Sequence, residues 1–255
     1  MSPFKLDRMA DRWAKLRPHA RVVGPDGRRP TVLLFHGCGG IWRQPDDYAQ
    51  VVAALGGRAL VVDSYAPRGW SRSFGATFVC TGALLRGPER AGDVLAAAYG
   101  AVGELHADPD RLVLAGWSHG AWSIMDLMTM PLERPGEAGL ADGSAGPIAG
   151  VKGLYLAYPY GGIGALSRTR PWVRAPRSLG VIALQDHITG LRDSELVFDA
   201  PRGAGAELEL WRAPARHGFD EPGTPLSLIN HHETLSAEAL ERFAAFVEDA
   251  FARSA

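Results

Sequence analysis

Short, nearly unbroken apolar runs alternate along this chain with longer stretches whose apolar residues recur every three or four positions. The short runs lie near residues 31–36, 58–64, 111–116, 152–158, 179–185 and 206–212. They are rich in Val, Leu, Ile and aromatic residues, the composition of strands buried in a sheet. The helical period appears near residues 46–55, 88–104, 119–130, 191–199 and 236–252. Pro88 suits the start of its helix, where a missing N–H costs nothing. Ser236 is the expected N-cap of the last helix, with Glu238 in the first turn. Residues 3–24 carry a weak signal for one or two further strands. Strand and helix in alternation predict an α/β protein, with a mostly parallel twisted sheet and helices on both faces. No internal repeat interrupts the pattern, and 255 residues suit one domain spanning 1–255.

Two stretches break the rhythm. Residues 65–87 hold Tyr65, Arg68, Trp70, Arg72, Phe74 and Phe78. Residues 131–150 are rich in Gly, Pro and Ala, and a connection of that length is usually functional or disordered. Its place after a candidate site suggests that it edges the site's mouth.

That candidate is Gly116-Trp117-Ser118-His119-Gly120, directly after the apolar run ending at Ala115. A strand turning sharply into a helix forces the middle residue into a strained conformation and lifts its side chain out of the fold. The flanking glycines let strand and helix approach. The following helix points its positive end at Ser118, which favours a developing anion there. Upstream, the strand at 31–35 runs into His36-Gly37-Cys38-Gly39-Gly40. A glycine-rich loop can turn backbone N–H groups toward a ligand. Acyl transfer needs two such groups to hold an oxyanion, and the peptide N–H groups of Cys38 and His119 are the expected pair. The His36 side chain reads as structural, bonding the loop backbone.

A nucleophilic serine needs a base and an acid. Asp186 ends the apolar run Leu-Gly-Val-Ile-Ala-Leu, and His217 opens His-Gly-Phe-Asp in a loop after the last strand. The order Ser118, Asp186, His217 is that of the strand–elbow–helix hydrolases, with His217 taking the serine proton and Asp186 fixing the imidazole. Asp193, Glu195 and Asp220 are the alternative acids, but only Asp186 terminates an apolar strand. His119 and His187 adjoin candidate residues, yet neighbours on a turn diverge. His231 and His232 sit in a polar loop, and His19 and His106 in charged surroundings. No His-x-x-x-His pair or Cys/His cluster suggests a metal, and no cofactor is expected.

Taken together, residues 36–40, the stretch Val62-Asp63-Ser64-Tyr65-Ala66-Pro67-Arg68-Gly69, residues 116–120, Tyr158-Pro159, Asp186 and His217-Gly218-Phe219 resemble the dienelactone hydrolase family of α/β-hydrolases. The likeness runs from about residue 30 to the C-terminus. It implies the α/β-hydrolase fold, an eight-stranded mostly parallel sheet, and hydrolysis of small esters or lactones. The enzymes that gave the family its name use a cysteine nucleophile. Ser118 stands at that position here, so the named substrate does not transfer. Sequences resembling this one often carry cysteines at the positions of Cys38 and Cys80, which implies that the two loops approach within disulfide range. A cytosolic chain would favour two reduced thiols instead. Neither cysteine is at the elbow. The same triad also serves peptidases and acyltransferases, and the scaffold can be a non-catalytic binding module.

For the substrate pocket, the aromatic and basic side chains near these motifs are the candidates: Trp42, Tyr65, Arg68, Trp70, Trp117 and Tyr160, with Trp122. Trp117 and Trp122 suit sheet packing equally well. Arg68 suits either a substrate carboxylate or an ion pair with Asp63 or another loop acid. Bulk composition narrows the partners. Hydrophobic residues make up 46% and charged ones 22%, with a net charge of −1. There is no electrostatic case for nucleic acid. No apolar stretch spans a bilayer, and the charged N-terminus lacks a signal-peptide core, so the expected location is cytoplasmic. The expected partner is a small-molecule ester or lactone, with the chain a monomer or homodimer.

Overall fold

A computed structural model describes residues 6–223 and 231–253. Seven strands form one sheet: β1 (Arg21–Val23), β2 (Arg29–Phe35), β3 (Arg58–Val62), β4 (Ala107–Trp117), β5 (Val151–Ala157), β6 (Arg177–Ala183) and β7 (Leu208–Ala213). Their order is β1-β3-β2-β4-β5-β6-β7. Every neighbouring pair is parallel except β1 and β3 at one edge. Among the described residues the sheet thus has one strand fewer than the family resemblance implies.

The helices are α1 (Met9–Leu16), α2 (Gln44–Ala54), α3 (Arg72–Phe74), α4 (Gly87–Gly103), α5 (His119–Met128), α6 (Leu191–Leu196), α7 (Asp199–Gly203) and α8 (Glu233–Ala252). Side chains of each strand alternate between two cores. Leu33, Phe35, Leu60 and Val62 pack under α1, α4 and α5. Val32, Leu34, Ala59 and Val61 face α2 and α8 on the other side, with Tyr48, Phe243 and Phe246. Each buried Val, Leu or Phe side chain among these contributes roughly 1.5–3 kcal/mol of hydrophobic stabilisation. The continuous apolar runs in the sequence follow from this coverage of both faces.

Four expectations need correction. Of the one or two strands expected in residues 3–24, β1 (Arg21–Val23) forms, whereas residues 9–16 are a helix. Met9, Trp13 and Leu16 are its buried residues, at helical spacing. The part of the strand expectation falling on residues 3–5 lies outside the described residues. The last helix begins at Glu233, because the His232 ring accepts from Leu235 N–H and acts as the cap. Ser236 lies inside the first turn, its hydroxyl donating to the carbonyls of Phe219 and His232. The helix expected over 191–199 is two helices. Pro201 has no N–H for the Val197 carbonyl, so an unbroken helix would lose that bond. Residues 131–150 pack against α1 and α4 rather than over the candidate site. Leu140 pairs with Asp7, and Ala138 and Leu140 are buried in the α4-side core.

Where β4 meets α5, the backbones are too close for side chains. An added Cβ on Gly120 would lie 2.1 Å from the Phe35 carbonyl oxygen, and one on Gly116 would lie 2.6 Å from Ala121 N. Gly120→Ala is therefore expected to lower unfolding free energy by about 3 kcal/mol, since backbone and not a flexible side chain must yield. Urea titration of the two proteins checks this.

Candidate functional site

Ser118 is the single residue between β4 and α5, and it has φ 51° and ψ −111°. A positive φ is unfavourable for serine. It is held by Ser118 N–H donating to the Ala157 carbonyl at 2.8 Å, and by Trp122 N–H donating to the Ser118 carbonyl at 2.9 Å. The first bond ties the turn to β5, and the second starts the helix. The side chain is thereby raised to the floor of a pocket of about 340 Å³.

His217 arrives from the connection after β7. Its Nε2 lies 2.9 Å from Ser118 Oγ, and its Nδ1 lies 2.7 Å from Asp186 Oδ2. Asp186 sits in the turn leaving β6, where its N–H donates to the Ala183 carbonyl. Its carboxylate also accepts from the N–H groups of Ile188 and Thr189, both at 2.9 Å, and from Thr189 Oγ at 2.7 Å. Burial pushes this carboxyl up, but the bond and charge of His217 and the Thr189 bonds outweigh it, leaving its pKa below the ordinary value. The ionised carboxylate only accepts, so Nδ1 carries the imidazole hydrogen. Nε2 is left as acceptor for the serine hydroxyl.

The residue 36–40 loop lies directly over this point. An added Cβ on Gly37 would lie 3.6 Å from Ser118 Cβ. His36 holds the loop's base: Nδ1 lies 2.6 Å from the Gly37 carbonyl, and Nε2 accepts from Ser64 N–H at 3.2 Å. Burial, then the charge of Arg90, keeps its pKa well below the ordinary value, so the ring is neutral and structural. Cys38 is joined to Cys80 by a disulfide, with Cα atoms 5.1 Å apart. The Tyr65 hydroxyl donates to the Cys38 carbonyl at 2.8 Å. Cys38 and His119 both line the pocket beside Ser118. Behind them Arg90, fully buried, donates to Ser64 Oγ at 3.0 Å and to His119 Nδ1 at 3.1 Å. Burial and the Arg90 charge hold the His119 pKa well below its ordinary value. A fixed cation thus lies behind the peptide that follows Ser118.

A second buried network braces the same loops. Asp220 accepts from the hydroxyls of Tyr48 and Tyr158, both at 2.6 Å, and from Trp117 Nε1 at 3.2 Å. Burial, then the Asp220 charge, raises the pKa of both phenols, which therefore remain donors. Gln44 Nε2 donates to the Tyr158 hydroxyl at 2.9 Å. The Tyr158 ring packs against the His217 imidazole, with centroids 4.7 Å apart. Asp220 thus links α2, the residue before Ser118, and the ring beside His217.

No protein-family model and no curated protein matches the sequence. Solved structures do match the architecture. A Klebsiella pneumoniae protein assigned as a dienelactone hydrolase superposes with a TM-score of 0.63 at 16% identity, over 89% of this chain and 91% of that one. An esterase from the hyperthermophilic archaeon Pyrobaculum calidifontis gives 0.59 at 20% identity, over 90% and 80%. A dienelactone hydrolase-like promiscuous phosphotriesterase from metagenomic libraries gives 0.63 at 14% identity, over 90% and 97%. The chain has the α/β-hydrolase fold.

Within this fold the pocket is lined differently from the sequence expectation. Tyr160 lines it, as does Trp122, together with Val79, Thr81, Gly82, Arg86, Ile163, Gly164, Ile188 and Thr189. Trp117 is fully buried instead, edge-on to Tyr48 in the α2 and α8 core. Tyr65 is spent on the Cys38 carbonyl. Arg68 donates to both oxygens of buried Asp93 on α4, at 2.9 and 3.0 Å, and to the Ser64 carbonyl. Asp63 instead accepts from Tyr65 and Ala66 N–H. Trp70 stacks on Phe74. Trp42 lies under the Arg72 guanidinium, 3.9 Å from its ring centroid, in a separate cleft. Of the alternative acids, Asp193 pairs with Arg168 and Glu195 with Arg212.

Among the described residues, no helix is long and apolar enough to cross a membrane, and no three His, Cys, Asp or Glu side chains group to hold a metal ion. Sequence reading missed Thr189 and the brace at Asp220. The signal for Thr189 was Asp-His-Ile-Thr, a local acceptor followed by a hydroxyl and N–H three residues on.

The depressed Asp186 pKa has a pH consequence. A carboxyl whose pKa falls on folding adds stability above its unfolded value and loses it as pH drops through the lower folded value. Asp186→Asn is expected to lower the urea midpoint at neutral pH, and the gap to wild type to narrow as pH falls from neutral through about 4, the ordinary aspartate value. Urea titrations across that range check it.

Proposed function

We propose that the protein is a serine hydrolase of small carboxylic esters or lactones, acting through an acyl-enzyme as one domain. The reading rests on the unbroken hydrogen-bond path from Ser118 Oγ through His217 to Asp186 at the floor of a pocket. In this scheme Ser118 Oγ attacks the acyl carbon while His217 Nε2 takes its proton. Asp186 holds the resulting imidazolium in place. Negative charge gathers on the former carbonyl oxygen, where the Cys38 and His119 N–H groups receive it, with the Arg90 charge behind. His217 then returns the proton to the leaving alkoxide, and the ester bond breaks. Water enters, gives a proton to His217 and attacks the acyl-serine. The tetrahedral adduct collapses, the acid leaves, and Ser118 regains its proton.

Pocket size favours small substrates: about 340 Å³ is near the lower end for ligand sites. Trp122, Val79, Ile163 and Ile188 supply an apolar lining. Every step uses groups of the protein and one water, so the scheme calls for no cofactor.

Ser118→Ala is expected to reduce turnover of a short p-nitrophenyl ester by at least about 10³-fold, with circular dichroism unchanged. A fluorophosphonate probe followed by peptide mapping should label Ser118 in the wild type and nothing in the variant. Undiminished turnover by the variant, or labelling elsewhere, would overturn the assignment.

A further inference from the structure

The loop over Ser118 contains Gly37, Gly39 and Gly40, and such backbone has many conformations to choose from. Residue 38 is nevertheless gripped twice. Its carbonyl accepts from the Tyr65 hydroxyl, and its side chain is bonded to Cys80. Cys80 ends the π-helical turn Gly75–Val79, its N–H donating to the Gly75 carbonyl at 3.0 Å. Gly75 itself lies under the Tyr65 ring and the Cys38 carbonyl, so close that an added Cβ would be 2.4 Å from the ring. The two grips therefore meet at one turn.

The turn belongs to a segment weakly joined to the rest of the molecule. Its hydrogen bonds are mostly internal: Thr77 to Ser73, Thr81 to Thr77 and Phe78, Arg86 to Gly82. Its aromatic contacts run Trp70 to Phe74 to Phe78. Val79 and Leu85 bury against Tyr65 in a small cluster separate from both sheet cores. The same segment supplies Val79, Cys80, Thr81, Gly82 and Arg86 to the pocket. The disulfide is its covalent tie to the loop over Ser118.

We infer that Cys80 is a positioning residue: through the disulfide it aims the Cys38 peptide N–H at the reacting carbonyl oxygen, and turnover requires the oxidised pair. The inference rests on the reading of Ser118 as nucleophile. A dithiol reverses it by ordinary exchange. Its thiolate attacks one sulfur, the Cys38–Cys80 bond breaks, and the second thiol of the reagent releases the other cysteine. Two electrons and two protons pass to the cysteines, and the reagent ends as a cyclic disulfide.

The test compares wild type as isolated, wild type reduced with dithiothreitol, and Cys80→Ala, at 25 °C, with thiols titrated in each. Cys80→Ala keeps the Cys38 N–H, so removal of that donor does not account for a loss. The expected result is a fall in kcat of about 10-fold or more on reduction, part of what removing an oxyanion donor causes. KM should change less, Cys80→Ala should match the reduced enzyme and ignore dithiothreitol, and reoxidation should restore the wild type. Equal kcat in the oxidised and fully reduced wild type, with only the melting temperature lowered, would overturn the inference and leave the hydrolase reading intact. That comparison decides the matter even where Cys80→Ala fails to fold. No turnover and no fluorophosphonate labelling in any form would sink the hydrolase reading and this inference with it.

Discussion

The carbonyl of Phe35 at the end of β2 lies against the first turn of α5, and nothing larger than hydrogen fits between them at Gly120. This contact fixes how β4 must turn. With the helix pressed to the strand end, Ser118 is driven to a positive φ, and its hydroxyl has nowhere to go but outward. Because β2 makes the contact, the loop leaving β2 is carried over the same spot. The tight packing and the convergence of loops are one steric fact.

Around that point the chain buries several charges, each in a different setting. Asp93 is enclosed by Arg12 and Arg68. Asp220 meets three neutral donors, two of them phenols kept protonated by burial and then by its own charge. Arg90 lies against Ser64 and a neutral His119, while among the described residues its Nη2 has no hydrogen-bond partner. Stripping a charge of water is costly unless its bonding capacity is met. Where it is met by many rigid partners, the surrounding loops lose freedom. Asp186, with donors on both oxygens, holds the His217 ring in one orientation by the same means.

Much of this was legible in the residues. Runs buried on both faces betray a parallel sheet, and Gly-x-Ser-x-Gly with a late Asp and His names groups that the fold brings within hydrogen-bond distance. What stayed hidden depends on partners distant in sequence. Tyr65, Arg68 and Trp117 look like pocket residues because they are large and lie near motifs. Their partners, at Cys38, Asp93 and Tyr48, could not be known without the fold. Helix α1 was missed because its three buried residues are few and set among charges. Ser236 looked like a cap by type, yet His232 took the role, as local geometry and not residue preference decides the end of a helix.

The pocket's wall and its floor have different structural origins. Ser118, Asp186 and His217 sit on turns tied directly to strand ends, while Val79, Thr81, Gly82, Arg86, Tyr160, Ile163 and Gly164 come from two long connections between elements. Insertions or exchanges there leave the sheet untouched. Under the proposed reading, descendants of this chain could diverge widely in what they accept while conserving how they react.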